Sequence, residues 1–135
     1  MIIFTTERVT LINGIQIIEQ LYIIKETHLN PVGQLDYFEH NLEAKDKSSF
    51  RRLMTILNRV INNESLPQTM FKEVSRKKDI IKEYEVKANN LRLYLIKIKH
   101  GKLIILGGYK NTQKQDFVKF RNLKQQYISY LKETK

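Results

Sequence analysis

A chain of 135 residues is long enough to enclose one hydrophobic core, burying roughly two thirds of its unfolded surface, and it folds without cross-links. It contains no cysteine, which excludes disulfides, thiolate zinc sites and thiol nucleophiles and fits a reducing cytoplasm. The net charge of +10 is unevenly placed: residues 67–135 hold 17 Lys and Arg against 6 Asp and Glu, whereas residues 1–66 hold 7 against 8. All of the excess sits in the second half, and a half this biased suggests one positive face built for phosphates.

The aliphatic runs, such as Leu103-Ile104-Ile105-Leu106, are far shorter than the roughly 20 residues that span a bilayer. Met1-Ile2-Ile3-Phe4 gives way at once to Thr5-Thr6-Glu7-Arg8, so neither a secretory signal nor a membrane anchor is expected. With two prolines, five glycines and no repeat, a single domain over residues 1–135 is expected.

The first elements are β-like. Val9-Thr10-Leu11-Ile12 and Ile15-Gln16-Ile17-Ile18 flank Asn13-Gly14, a dipeptide suited to a type I′ hairpin turn, with the second arm running on through Leu21-Tyr22-Ile23-Ile24. A helix over residues 15–25 remains an alternative, because short aliphatic runs do not settle their own period. Two helices follow. Leu35, Phe38 and Leu42 recur at helical spacing after Pro31, and Phe50, Leu53, Met54, Leu57 and Ile61 do so behind Asp46 and Ser48 as candidate caps.

Asn62-Asn63 and Pro67 end the second helix. Tyr84, Val86 and Ala88 then alternate with Glu85 and Lys87; Asn89-Asn90 turns the chain into a strand over 91–98; His100-Gly101 turns it again into a buried strand over 103–106. Thr112 and Gln115 have capping-box spacing at the start of a last helix. Phe117, Phe120, Leu123 or Lys124, Tyr127 and Leu131 form its apolar stripe, which should pack on the sheet. The fold class is α+β: an N-terminal β-hairpin and two helices, an antiparallel β-meander and a C-terminal helix.

His28, His40 and His100 show no ligand spacing, and no HExxH, calcium loop, GxGxxG, Walker or GxSxG pattern occurs, so neither a metal nor another cofactor is expected. Cations dominate instead. Lys87 and Arg92 lie on strands joined by a short turn and converge if register allows, and Lys110 and Lys114 follow the Gly107-Gly108 exit. Glycines there let backbone approach a ligand, a helix N-terminus at residues 112–115 adds partial positive charge, and Tyr109 is placed to stack on a base or to donate a proton. Lys87, Lys97, Lys99 and Lys102 also read as solvated strand and turn residues. Arg76-Lys77-Lys78 reads as a solvated loop or a partner-facing patch, with RNA contact as the sharper alternative.

Four segments in order resemble the RelE/ParE toxin superfamily, nearest its HigB-like members: Tyr84-Glu85-Val86-Lys87, Leu91-Arg92-Leu93-Tyr94, Gly101-Lys102-Leu103-Ile104-Ile105-Leu106, and Gly108-Tyr109-Lys110-Asn111-Thr112-Gln113-Lys114. The resemblance spans residues 45–131, about two thirds of the chain. It implies a RelE-like core over about residues 31–135, with residues 1–30 as a hairpin extension. It also implies an mRNA interferase acting on mRNA at the ribosome, held by a cognate helix-turn-helix antitoxin, in the cytoplasm and without a membrane. On that scheme Lys87 and Arg92 hold the scissile phosphate, Lys110 and Lys114 bind phosphates, and Tyr109, Gly107 and Gly108 line the RNA. Glu85 is either the general base or an ion-pair partner of Lys87 or Arg92. Lys stands at position 87 where the family has Arg, and Gly107 where it often has His. The alternatives are a ParE-like topoisomerase inhibitor without catalysis and a degenerate basic nucleic-acid-binding module.

Overall fold

The computed structural model describes residues 2–9, 14–25 and 33–134. Its strands are β1 (Ile2–Arg8), β2 (Ile17–Lys25), β3 (Phe71–Glu73), β4 (Glu83–Ala88), β5 (Leu91–Ile98) and β6 (Gly101–Tyr109). Its helices are α1 (Gln34–His40), α2 (Lys47–Ile61) and α3 (Gln113–Glu133), with short 3-10 turns at Ala44–Asp46 and Lys110–Thr112. The strands form one sheet in the order β1-β2-β6-β5-β4-β3; every neighbouring pair is antiparallel except β2 with β6. The class is therefore α+β, with helices on both faces of a mixed sheet.

β2 is a strand, which decides against a helix there. The β1–β2 pairs run from Ile2↔Lys25 to Arg8↔Glu19, symmetric about the Asn13-Gly14 bond. The turn predicted at that bond lies outside the described residues. The strands begin and end farther from it than the sequence pattern suggested, and β2 continues into the main sheet through its parallel register Ile17↔Gly101 to Gln20↔Ile104.

The meander over β4, β5 and β6 follows the predicted alternation, but its second turn is Lys99-His100 and not His100-Gly101, because Gly101 already pairs with Ile98 as the first residue of β6. Asn89 and His100 take left-handed φ values of 53° and 67°, and their two-residue loops, Asn89-Asn90 and Lys99-His100, set the registers Ala88↔Leu91 and Ile98↔Gly101. Leu91, Leu93 and Leu95 pack with Val86 and Ile104 against Phe38, Leu53, Leu57 and Ile61 of α1 and α2. Tyr94, Ile96, Leu103 and Ile105 face the other way, onto Phe120 of α3. Because both faces of the sheet are covered, residues 91–96 are buried without interruption.

Four expectations change. β6 runs through Gly107-Gly108 to Tyr109, so those glycines belong to a strand and not to a loop. The capping box does not form, because the Thr112 hydroxyl donates to the Asp116 carboxylate (2.7 Å) and makes no cap bond. In the α3 stripe it is Lys124, not Leu123, that is buried, while Leu131 is exposed. Lys102 also departs from the solvated reading: it is buried, donates to Gln16 (2.9 Å) and sits over the Tyr84 ring.

Candidate nucleic-acid interface

In β4, Val86 and Ala88 face α2, so Glu83, Glu85 and Lys87 face the α3 layer. Register then places Lys87 directly opposite Arg92, and Arg92 opposite Gly108, in one row across three strands; Glu85, Tyr94 and Leu106 form the next row. The predicted convergence of Lys87 and Arg92 is thus a consequence of strand pairing.

The Arg92 guanidinium is folded back on its own turn. Nη1 donates to the carbonyls of Asn89 (2.7 Å) and Leu91 (2.8 Å), the residue is only 7% exposed, and buried Nε has no hydrogen-bond partner among the described residues. Lys87 keeps partial access to solvent, with Nζ 3.4 Å from Glu85 Oε1. Glu85 is buried, and its other oxygen accepts from the side-chain amide of Gln113 in the first turn of α3. Both carboxylate oxygens are therefore occupied, which is the ion-pair alternative for Glu85.

Beneath the same turn lies Tyr94, fully buried, with its hydroxyl unpartnered among the described residues. Burial raises its pKa, and the negative charges of Glu85 and Asp116 raise it further, so it remains a neutral phenol. Sequence reasoning passed over Tyr94, Gln113 and Asp116. Strand alternation from Arg92 would have found Tyr94; Gln113 and Asp116 gave no signal without knowing how α3 lies on the sheet.

The glycines are filled from both sides. A Cβ on Gly107 would meet the Phe38 ring of α1, and one on Gly108 would meet the Asp116 carboxylate of α3. Each therefore admits a protein side chain. Tyr109, next in the strand, points with Gly107 to the α1 side, where it meets Phe38 edge-on at 6.0 Å. Burial raises the Tyr109 pKa, helped by Asp46 and Glu43. It lies on the opposite face of the sheet from Lys87 and Arg92.

Lys110 is exposed, and its backbone N–H donates to the carbonyl of Asn90 (2.8 Å), which anchors the backbone of this residue beside the turn that holds Arg92. Lys114 is exposed too, but it lines a different groove with Arg76 and Arg121. Within the inner cluster two cations, Lys87 and Arg92, face two carboxylates, Glu85 and Asp116. The charge left over beside this cluster is that of Lys110. No group of three or more His, Asp or Glu among the described residues is placed to hold a metal ion, and no helix there is long and apolar enough to cross a membrane.

No protein-family model, curated protein or solved structure matches this chain.

Proposed function

We propose that the chain is the toxin of a type II toxin–antitoxin pair, an endoribonuclease with a RelE-like core that cleaves mRNA on the ribosome and is restrained by a cognate helix-turn-helix antitoxin. The observation that carries this reading is the grouping of Lys87, Arg92 and Lys110 around one turn at one end of the sheet. RNA supplies its own nucleophile, the 2′-OH. The protein then has to align that hydroxyl with the phosphate, move protons, and stabilise a doubly negative phosphorane, work suited to fixed cations. Arg92 is fixed by two carbonyls and Lys87 by Glu85, while Lys110 is anchored beside them through its backbone and keeps a free side chain. Glu85 acts as a base in this scheme only after Gln113 releases it.

A second reading, a basic RNA-binding module or ParE-like inhibitor without catalysis, is favoured by the full occupation of Glu85 and the burial of Arg92. Induction followed by mapping of RNA ends separates the two. The toxin reading expects mRNA fragments with 5′-hydroxyl ends and arrested translation, both relieved by Arg92→Ala, since losing one transition-state donor costs about 10²–10³ in rate. Intact mRNA with DNA damage would instead assign the ParE-like role. RNA that is bound with steep salt dependence yet left uncut would assign the binding module.

A further inference from the structure

We infer that the groove between the 74–79 loop and the outer side of α3 is a phosphodiester-binding subsite for single-stranded RNA, formed by Arg76, Lys114 and Arg121. The groove has a volume of about 430 Å³, and Phe117, Val118 and Asn122 complete its lining. Among the described residues no carboxylate lines it. Its three cations come from segments as far apart as residues 76 and 121.

Two of the cations are held in place before any ligand arrives. Arg76 gives its backbone N–H (2.7 Å) and Nε (3.0 Å) to one oxygen of Asp79 and Nη2 (2.9 Å) to the other. Arg121 gives Nε to the fully buried Glu83 (3.1 Å) and Nη2 to the Val74 carbonyl (3.2 Å), while its guanidinium lies 4.9 Å over the Phe117 ring. Lys124 supports both carboxylates from within, at 2.9 Å to Glu83 and 3.7 Å to Asp79. The inner edges of both arginines are thereby consumed. Among the described residues, Nη1 of each arginine and Nζ of Lys114 donate to no protein group.

Charge decides the class of ligand. Arg76, Arg121 and Lys124 outnumber Asp79 and Glu83 by one, and Lys114 adds a second positive charge on the groove itself. Structural pairing explains the inner edges of the arginines; it does not explain why an unpaired lysine joins them. Guanidinium N–H groups fixed in advance suit the non-bridging oxygens of a phosphodiester and lose little freedom on binding. The stacked Phe117–Arg121 pair and the exposed Val118 offer a surface on which a base can lie, which favours a nucleotide strand over a bare anion.

The inference rests on the nucleic-acid part of the proposed function and not on cleavage. The probe is a fluorescein-labelled single strand of 2′-O-methyl uridines, which has no 2′-OH to attack, so failure of this groove and failure of catalysis are read separately. Anisotropy titrations over a salt series give the affinity and its salt slope. Lys114→Gln is expected to reduce the slope by about 0.7, the share of one phosphate contact on a single strand, and Arg76→Gln to reduce it similarly. Lys77→Gln removes the same charge outside the groove and is expected to have less than half that effect. Equal losses from Lys114→Gln and Lys77→Gln would show only a diffuse field and overturn the subsite. So would an unchanged slope in Lys114→Gln, an exposed variant whose fold is not at risk, or displacement of the strand by polyglutamate as readily as by unlabelled RNA, which would assign the groove to an acidic protein.

Discussion

Gln113, in the first turn of α3, donates its side-chain amide to the Glu85 carboxylate on β4, while Lys87 holds the other oxygen from 3.4 Å. Glu85 thus fastens the start of α3 to the sheet and keeps Lys87 upright beside Arg92. Glu85→Gln removes the ion pair and weakens the bond to Gln113. Lys87 retains a path to solvent, so the cost is expected at about 1–3 kcal/mol, with faster amide exchange confined to the first turn of α3. Urea unfolding and hydrogen exchange measure both, and an unchanged exchange pattern would refute the fastening role.

Gly107 and Gly108 predict different costs, because different atoms occupy the space beside them. Gly107→Ala must displace the ring of Phe38, which is packed against Phe50 and Tyr109. Gly108→Ala needs only the Asp116 carboxylate to swing away, at the expense of its bond to Thr112. Overpacking a rigid core costs about 1–3 kcal/mol, and losing one hydrogen bond costs about 1 kcal/mol. Thermal denaturation should therefore rank Gly107→Ala as the less stable of the two.

Tyr109 offers a test of which face of the sheet meets RNA. It packs with Phe38 on the α1 side, away from Lys87 and Arg92. Tyr109→Phe is expected to leave RNA affinity unchanged, and Tyr109→Ala to lower stability by about 1–3 kcal/mol through loss of a half-buried aromatic contact. A drop in RNA affinity in Tyr109→Phe, read by the same anisotropy titration, would instead put RNA against that face.

What could be read from the sequence was local. Tyr84, Val86 and Ala88 alternate strictly with Glu85 and Lys87, the period of a strand, and Asn89-Asn90 marks a turn whose left-handed residue then appears, so the Lys87–Arg92 pairing was legible. Gly107-Gly108 read as a loop because glycine has poor strand propensity; only the side chains of Phe38 and Asp116, 69 and 8 positions away, supply the reason for glycine within β6. The parallel pairing of β2 with β6 and the short β3 depend on distant segments and leave no periodic trace. Lys114 read as a fourth member of the Lys87 cluster because it is near Lys110 in sequence. The helix that begins at Gln113 carries it to Arg76 and Arg121 instead.

Acid stability should hinge on the carboxylates beneath that groove. Arg76 holds the Asp79 pKa well below its ordinary value of 3.8 by hydrogen bonding to its oxygens, an effect that outweighs the opposing effect of burial. Above about pH 5 Asp79 is ionised in both the folded and the unfolded chain, and its pairing contributes in full. As pH falls further, the unfolded chain takes up a proton that the folded chain refuses, so this contribution declines until the depressed folded value is passed. Asp79→Asn is therefore expected to be less stable at neutral pH and to show a flatter loss of stability below about pH 4. Lys124→Met should be more damaging, because it leaves the fully buried Glu83 with Arg121 as its only paired cation among the described residues; about 3 kcal/mol is expected, the lower end for breaking a buried pair. Adding Glu83→Met to Lys124→Met should restore more than half of that loss, since an apolar pair no longer carries an uncompensated charge. Urea unfolding of wild type, both single variants and the double variant at neutral and acid pH tests this; a double variant no more stable than Lys124→Met would show that packing, not charge, dominates under α3.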